Sequence, residues 1–439
     1  MNLNVNVKVS SIRNAYFLFL CVFMVFFFTA TLYSDDGIYL SLCTTTKRSG
    51  VAIESFNVAD KNENTIKSAK LIKKIIKNDL ILSRYFNIIQ IVPENDFKEK
   101  LLSLRKNGTT ALVTASVSDD GCNIALEIKV IDVVTSGIIW KHNYKNNRSN
   151  YRYLAHEVSD EIIRRIKGEI GISRSKIVFV NDSTRFKELY IIDYDGCNLR
   201  RLTRDNKINI LPRWSPDGGQ VIYTSYLHNN PDLFVLSLIE NKRSIISKCQ
   251  GLNVTGSFSP DGKKIVLTLS KGRYPNLYMI NVHGELLRRM TKDACIDTSP
   301  SFAPNGQEIV FISDRSGYPQ LYIMNIRGEN VRRLTTSGPC DSPSWSPRGD
   351  KIAFTMRQAK SNYDLYIYDL PTSKITRLTH NQKNNENPTW SPDGRFLVFY
   401  SNRSGRGEIY IMAIDGSGTR KLVEISGTSY TPSWSPILG

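Results

Sequence analysis

Short apolar runs alternate with polar turn residues along the second part of the chain. The runs at residues 177–180, 309–312 and 397–400 consist of β-branched, aliphatic and aromatic side chains. This composition is typical of strands that are covered on both faces. Ser-Pro-Asp-Gly segments occur at residues 215–218 and 391–394, where proline and glycine favour a tight turn. The pattern therefore predicts antiparallel strands joined by short turns.

This pattern recurs six times with a period of 43 to 45 residues. One aromatic residue marks the register of each repeat: Trp214, Phe258, Phe302, Trp345, Trp390 and Trp434. An apolar–aromatic pair that begins at Leu189 returns every 44 residues up to Ile409. A period in the forties indicates one supersecondary unit that is repeated and stacked. Four strands per repeat predict an all-β, six-bladed β-propeller over residues 172–439.

The two ends of the repeat region are complementary. The first repeat lacks the strand that carries the marker aromatic residue, whereas residues 431–436 supply such a strand without the three that should follow it. We predict that this C-terminal strand pairs with the first three strands and closes the ring, which removes two free sheet edges. Deletion of the last nine residues is expected to destroy the propeller.

Residues 35–171 differ from the repeats and predict a compact N-terminal α/β domain. Isoleucine residues line one face of a predicted helix over residues 64–82, and lysines surround the rest. Further helices are predicted over residues 96–105 and 151–170. Strands are predicted at residues 51–56, 86–91 and 111–115. A meander of strands follows up to residue 143, and Asp-Gly and Ser-Gly turns separate its strands.

The first 34 residues have the organisation of an export signal. Lys8 and Arg13 precede an apolar stretch over residues 15–28, as in a cleavable signal peptide. An uncleaved membrane anchor is the alternative, because apolar character continues to Tyr33. Neither Cys21 nor Cys43 follows a small residue, which argues against a lipid-modified cysteine.

The formal net charge is +17, which raises the question of an anionic partner. No nucleic-acid-binding motif accompanies the lysines, and a solvated helix face explains them better. We therefore predict no nucleic-acid partner. Attraction to anionic lipid headgroups is the stronger of the two electrostatic alternatives.

The chain lacks the sequence signals of an enzyme or a metal protein. Its five histidines are scattered, and neither a nucleophile elbow nor a P-loop is present. Asp193 and Asp195 suggest a cation-binding loop, but Asp-Gly between two strands is ordinarily a turn. Cys295 and Cys340 precede equivalent strands of adjacent repeats, so both a disulfide and two free thiols remain open. We predict no catalysis, cofactor or metal.

The order of these parts resembles the TolB family of the Tol–Pal envelope system. The resemblance is carried by the export signal, the α/β domain and repeats such as Pro-Arg-Trp-Ser-Pro-Asp-Gly at residues 212–218, with the final Pro-Ser-Trp-Ser-Pro at residues 432–436. It implies a non-catalytic periplasmic adaptor that supports outer-membrane integrity and constriction at cell division. Its implied partners are the peptidoglycan-associated lipoprotein Pal, TolA and other outer-membrane lipoproteins, and contact with membranes would come through them.

The resemblance implies two binding regions. Pal is expected at one mouth of the propeller, where the connections before the marker strands meet, since loops on a rigid scaffold carry binding function. TolA is expected on the N-terminal segment, where apolar residues alternate and favour addition to a sheet edge; packing on its own domain is the alternative. The predicted mouth residues are Asn253, Thr255, Asp297, Thr298, Ser299, Asp341, Ser342, Asn385, Glu386 and Asn387. The predicted residues of the segment are Ile38, Tyr39, Leu40 and Leu42.

Some repeat positions depart from the family pattern. Phe258 and Phe302 replace tryptophan, Gly256 replaces proline and Arg348 replaces aspartate. The aromatic replacements preserve burial, so we expect the fold to be unaffected, whereas differences in the loops bear on affinity for Pal. The alternative functions are an exported propeller scaffold with other partners and a hydrolase acting on envelope glycan or peptide.

Overall fold

A computed structural model describes residues 48–58, 62–94, 96–358, 362–380 and 382–439, with only the backbone of Thr255. The predicted export signal and the segment with Ile38, Tyr39, Leu40 and Leu42 lie outside this part of the chain. Within the described residues, no helix combines the length and apolar character needed to cross a lipid bilayer.

The described chain begins with a sheet of order β3-β1-β4-β5-β6, in which β1 runs parallel to β3 and β4 and the last three strands form the predicted meander. Helices α1 and α3 pack together on one face through a core of isoleucine, valine and leucine side chains. The elements are β1 Ser49–Ile53, β2 Asn57–Val58, α1 Glu63–Leu82, β3 Phe86–Ile89, α2 Phe97–Lys106, β4 Thr109–Asp119, β5 Asn123–Asp132, β6 Ile138–Asn147, a 3₁₀ turn Arg148–Asn150 and α3 Tyr151–Lys167.

Helix α3 is shorter than the sequence predicts. It ends at Lys167 because Gly168 adopts a left-handed conformation with φ of 70° and donates its N–H to the carbonyl of Arg164. This is the usual C-terminal capping role of glycine. The residues that follow lead directly into the propeller.

Six four-stranded sheets follow, so the predicted six-bladed propeller is confirmed. Blade 1 contains β7 Lys176–Asn181, β8 Glu188–Asp193 and β9 Arg200–Arg201; blade 2 contains β10 Asn209–Trp214, β11 Gln220–Ser225, β12 Asp232–Ser237 and β13 Lys242–Ser247; blade 3 contains β14 Asn253–Phe258, β15 Lys264–Leu269, β16 Asn276–Asn281 and β17 Leu286–Arg289; blade 4 contains β18 Asp297–Phe302, β19 Glu308–Ser313, β20 Gln320–Asn325 and β21 Arg332–Arg333; blade 5 contains β22 Cys340–Trp345, β23 Lys351–Arg357, β24 Tyr363–Asp369 and β25 Ile375–Arg377; and blade 6 contains β26 Asn385–Trp390, β27 Phe396–Ser401, β28 Glu408–Ala413 and β29 Arg420–Lys421. The last strand is β30 Ser429–Trp434.

The C-terminal strand closes the ring as predicted. β30 pairs antiparallel with β7, with Ser429 opposite Asn181 and Trp434 opposite Ile177, and thus completes blade 1. The innermost strands of successive blades contact one another around the ring, from β10 through β26 to β30 and back to β10. The first and last parts of the propeller are therefore joined in one sheet.

Each innermost strand contains a bulge. In all six blades the register against the next strand shifts between the second and fifth residues. The third residue is left-handed, with φ between 41° and 55°, at Leu211, Ser299, Ser342, Asn387 and Thr431. Such a bulge re-aims side chains, and the described side chains of the second and third residues are at least partly exposed.

The two faces of the propeller have different surroundings. The turns after the innermost strand of each blade lie on the side that contacts the α/β domain, which we call the covered face. There the guanidinium of Arg395 lies 3.6 Å from the centre of the Tyr85 ring, and its Nη1 donates to the carbonyl of Ser83 at 2.9 Å. We call the side with the connections between blades the open face.

Candidate partner-binding site

The predicted mouth residues lie at the start of the innermost strands, on the open face, but they fall into two groups. The first residue of each strand is buried, and this group includes Asn253, Asp297 and Asn385. The second and third residues form a partly exposed rim. The described residues of the rim are Ile210, Leu211, Val254, Thr298, Ser299, Asp341, Ser342, Glu386, Asn387, Tyr430 and Thr431.

The buried first residues hold loops in place. Asn253 accepts from the Ser247 hydroxyl at 2.7 Å and donates to the carbonyl of Cys249 at 2.7 Å. Asp297 accepts from Nη2 of Arg315 at 3.2 Å, and Asn385 accepts from Nη2 of Arg403 at 2.8 Å. Because these three side chains are fully enclosed, we do not retain them as contact residues for a partner.

The structure brings several of the remaining predicted residues together across blade boundaries. The Ser299 hydroxyl donates to Oδ1 of Asp341 at 3.3 Å, and the Asn387 amide donates to the Ser342 hydroxyl at 2.7 Å. Thr298 lies on the same rim, and Thr255 lies in β14 although its side chain is not described. Blades 4 to 6 therefore supply a polar half of the rim.

Negative charge on the rim comes from Asp341 and Glu386, which lie on adjacent blades. Asp341 is exposed. Burial raises the pKa of Glu386, and the nearby charge of Asp341 raises it further. A basic group from a partner would relieve this repulsion, so this half of the rim favours a positively charged contact.

The other half of the rim is apolar, which sequence analysis missed. It contains Ile210, Leu211 and Val254, together with Tyr430, whose ring stacks on Tyr400 with centroids 6.0 Å apart. The ammonium group of Lys187 lies over the Tyr430 ring, 4.5 Å from its centre. The signal was present in the sequence, because Ile210, Val254 and Tyr430 occupy the same repeat position as Asp341 and Glu386.

Next to this half lies an apolar arc of three exposed residues. Ile208, Leu252 and Ile296 each immediately precede the innermost strand of blades 2, 3 and 4, and they are 45%, 37% and 44% exposed. The three side chains therefore occupy equivalent positions on three neighbouring blades. A surface of this kind, bordered by polar groups, is typical of protein–protein contacts.

A second cluster of titratable groups joins the α/β domain to the covered face. Nδ1 of His156 lies 2.8 Å from Oδ2 of Asp79, and the Tyr194 hydroxyl donates to Oδ1 of Asp79 at 2.7 Å. Burial alone would lower the pKa of His156, but the hydrogen bond and charge of Asp79 outweigh this effect and raise it.

This cluster also contains potential metal ligands, since Asp79, His156 and Asp195 offer atoms within 4.8 Å of one another. However, Nη2 of Arg152 lies 2.8 Å from Oδ2 of Asp195 and 3.2 Å from Nε2 of His156. The guanidinium supplies the positive charge that a metal ion would otherwise provide, so the cluster is suited to holding the two domains together. Asp193 of the suggested cation loop is paired with Lys176.

The described cysteines are all free, namely Cys122, Cys197, Cys249, Cys295 and Cys340. Of the two alternatives for Cys295 and Cys340, the structure therefore supports free thiols. Both are buried, and burial raises the pKa of the Cys340 thiol to about 11.

The fold and the rim define a β-propeller that has an N-terminal α/β domain and an open face suited to binding another protein. The sequence profile of the TolB beta propeller domain matches residues 163–438. The chain therefore belongs to this family, which confirms the resemblance found in the sequence.

Individual relatives agree with this assignment. The Tol-Pal system protein TolB of Desulfosudis oleivorans is 32% identical over 207 residues, which is 45% of this chain and 47% of that protein. The protein of the same name from Legionella pneumophila strain Corby is 28% identical over 190 residues, which is 42% of this chain and 45% of that protein. The chain thus matches about half the length of these curated relatives. The crystal structure of TolB from Acinetobacter baumannii has a TM-score of 0.78 and 28% identity, and the match covers 89% of this chain and 97% of that one.

Proposed function

We propose that this protein is a non-catalytic periplasmic adaptor of the Tol–Pal system, which supports outer-membrane integrity and constriction at cell division. Family membership over residues 163–438 carries the proposal, and the relatives named as Tol-Pal system proteins support it. The open face supports a binding role because it combines an apolar arc, an apolar half-rim and an acidic half-rim.

We propose that Pal and other outer-membrane lipoproteins bind the open face through the rim and the apolar arc. Apolar side chains at the centre of an interface contribute most of the binding free energy, and charges at the border set orientation and association rate. Ile208, Leu252 and Ile296 would then be the main contacts, and Asp341 and Glu386 would pair with basic groups.

We also propose that TolA binds the N-terminal segment at residues 35–42, with Ile38, Tyr39, Leu40 and Leu42 adding as a strand to an edge of the TolA sheet. A short extended segment gains affinity in this mode from main-chain hydrogen bonds and gains specificity from alternate side chains. The alternation of apolar residues in the segment supports this mode of binding.

The test is a pull-down from envelope extract with the chain lacking residues 1–34. Wild-type protein should recover a Pal-like lipoprotein, whereas the triple variant with Ile208→Asp, Leu252→Asp and Ile296→Asp should not. The matched control is Ile239→Asp, because Ile239 is 88% exposed but lies in the turn between β12 and β13 on the covered side.

Three other results would change the proposal. Equal recovery by the triple variant would move the lipoprotein site away from the open face. Failure of the wild-type protein to recover any lipoprotein would count against the adaptor role and favour a scaffold with other partners, and turnover of envelope glycan or peptide by the purified protein would favour the hydrolase. Deletion of residues 35–42 should remove TolA alone from the recovered proteins.

A further inference from the structure

The fifth residue of each innermost strand forms one level inside the ring. In every blade this residue lies at the same place in the ladder; for example, Arg213 is opposite Ile222 and Ser344 is opposite Ala353. Five blades carry a small hydroxyl residue at this level, whereas blade 2 carries arginine. The five hydroxyl residues are Ser257, Ser301, Ser344, Thr389 and Ser433.

The guanidinium of Arg213 has little to bind within the chain. Its Nη1 donates to the carbonyl of the preceding residue, Pro212, at 2.9 Å. Among the described residues, no carboxylate lies within ion-pair distance of it. The carboxylate that influences it is Asp341, which belongs to blade 5, the blade directly across a six-bladed ring from blade 2.

Several other arginines of the propeller have an ion-pair partner. Arg201 pairs with Glu188 at 3.1 Å, and Arg315 pairs with Asp297 at 3.2 Å. Arg377 likewise pairs with Asp364. Each of these three cations has an anionic partner in its own blade, whereas Arg213 has no ion-pair partner among the described residues.

This arrangement is costly in the absence of an anion. Burial lowers the pKa of Arg213 to about 10, and the charge of Asp341 offsets only part of that effect. The group therefore remains charged near neutral pH, and a partly desolvated cation without a counter-ion opposes folding. A guanidinium has five N–H donors in a planar fork, and most of them are available here.

We propose that the propeller channel is a binding site for a carboxylate group, which pairs with the guanidinium of Arg213 among the ring hydroxyls. The planar fork matches a carboxylate in a two-point contact, and the partly exposed Ser257, Ser301 and Ser344 lie at the same level of the ring. A ligand enters past Asp341 and Glu386, so a singly charged carboxylate is favoured over a more highly charged anion. This inference does not depend on which protein binds the open face.

Arg213→Ser is the informative variant, because serine is the residue that four other blades carry at this level. Thermal unfolding of wild type and variant is measured in sodium acetate, in sodium chloride of equal ionic strength, and in sodium chloride with acetamide. Acetate should raise the unfolding temperature of the wild type and leave that of Arg213→Ser unchanged. Acetamide, which has the same shape but no charge, should have no effect on either.

The variant also separates binding from a structural role. If Arg213 serves as a ligand-binding group, Arg213→Ser should be at least as stable as the wild type in chloride. A variant that is less stable and that responds to acetate as the wild type does would overturn the proposal in favour of a structural arginine. No response to acetate in the wild type would overturn it as well. Should Arg213→Ser fail to fold, Arg213→Lys offers the same comparison, with a weaker acetate response expected.

A second variant tests the geometry of entry. Asp341→Asn removes the carboxylate across the channel and should tighten acetate binding by about threefold, since repulsion between like charges is lost. An unchanged affinity would place the acetate elsewhere.

A short peptide with a free C-terminal carboxylate, compared with its amidated form, distinguishes a peptide ligand from a small free carboxylate. A peptide is the source if the free acid binds more tightly than acetate and the amide does not.

Discussion

The two faces of the propeller come from the same six repeats but differ in how their polar groups are used. On the covered face, charged groups are matched within the chain: Arg395 stacks on Tyr85, and Arg152 pairs with Asp195. On the open face, Asp341 and Glu386 lie near each other and neither has an ion-pair partner among the described residues, and three apolar residues remain exposed. The covered face is therefore complete as an interface, whereas the open face has the composition of one that lacks its partner.

This contrast shows how a repeat protein separates stability from binding. A buried charge must be paired to be tolerated, and on the covered face Arg152 pairs with Asp195 and His156 with Asp79. An exposed face is under no such constraint and can keep unpaired acidic and apolar groups for another molecule. The following predictions test this contrast, beginning with the change that affects both faces.

The largest effect is expected from deletion of residues 431–439. This removes most of β30, which pairs with β7 and packs between β10 and β26, so blade 1 loses its inner strand and the ring opens. Cooperative unfolding monitored by circular dichroism should be lost. Deletion of the exposed Gly439 alone is the control and should leave the transition unchanged; a cooperative transition in the nine-residue deletion would show that closure is dispensable.

The next effect concerns the covered face. His156→Ala leaves the buried Asp79 carboxylate without its cationic partner, which should cost about 3 kcal/mol in the free energy of unfolding. Urea denaturation provides the measurement. Arg164→Ala is the control, because it removes a pair with Glu161 in which the arginine is 58% exposed, and solvent screening should make its effect much smaller. Equal effects would mean that the buried cluster does not stabilise the interface.

The same cluster makes stability depend on pH. Burial opposes protonation of His156, but the hydrogen bond with Asp79 dominates and raises the pKa of the histidine in the folded protein. Its contribution is therefore complete below the unfolded pKa of about 6.5 and is lost as the pH rises through the higher folded value. Urea denaturation from about pH 6 to about pH 9 should show this decline, and His156→Gln should flatten it. A decline that persists in the variant would assign it to other groups.

The smallest effect on stability is expected on the open face. Leu252→Asp should change the free energy of unfolding by less than about 0.5 kcal/mol, because surface substitutions away from packed or paired groups usually have little effect. Leu277→Asp in the same blade is the control, since Leu277 is fully buried and a charge there should destabilise the protein severely. Similar losses in both variants, measured by urea denaturation, would show that the open face is part of the core.

The architecture of the propeller could be predicted from sequence because the repeat period sets both the number of blades and the register within each blade. Closure by β30 followed from the unmatched strand at the end of the repeats. Helix α1 begins within one residue of its predicted start, whereas the end of α3 was predicted too late because the capping role of Gly168 was not recognised.

The candidate site was harder to predict because polarity alone does not show whether a side chain is exposed. Asp297 and Asn385 look like loop residues, yet each accepts a hydrogen bond from an arginine 18 residues later, Arg315 and Arg403. That common spacing is a sequence signal for an internal role. Arg213 also had a signal, since it interrupts a series of hydroxyl residues.

The interdomain cluster had no comparable signal. Asp79 is separated from His156 by 77 positions and from Tyr194 by 115. These residues come from two helices and a propeller turn, and they meet only when the α/β domain docks on the covered face. No repeat or motif relates them, so their contact depends on tertiary structure alone.

The bulge in each inner strand has a consequence for engineering and for divergence among related propellers. In the five blades where both side chains are described, it leaves two consecutive residues at least partly exposed, and their exchange leaves the ladder on either side intact. Binding specificity can therefore be changed one blade at a time, by exchanging two adjacent residues of an inner strand while the fold of the propeller stays the same.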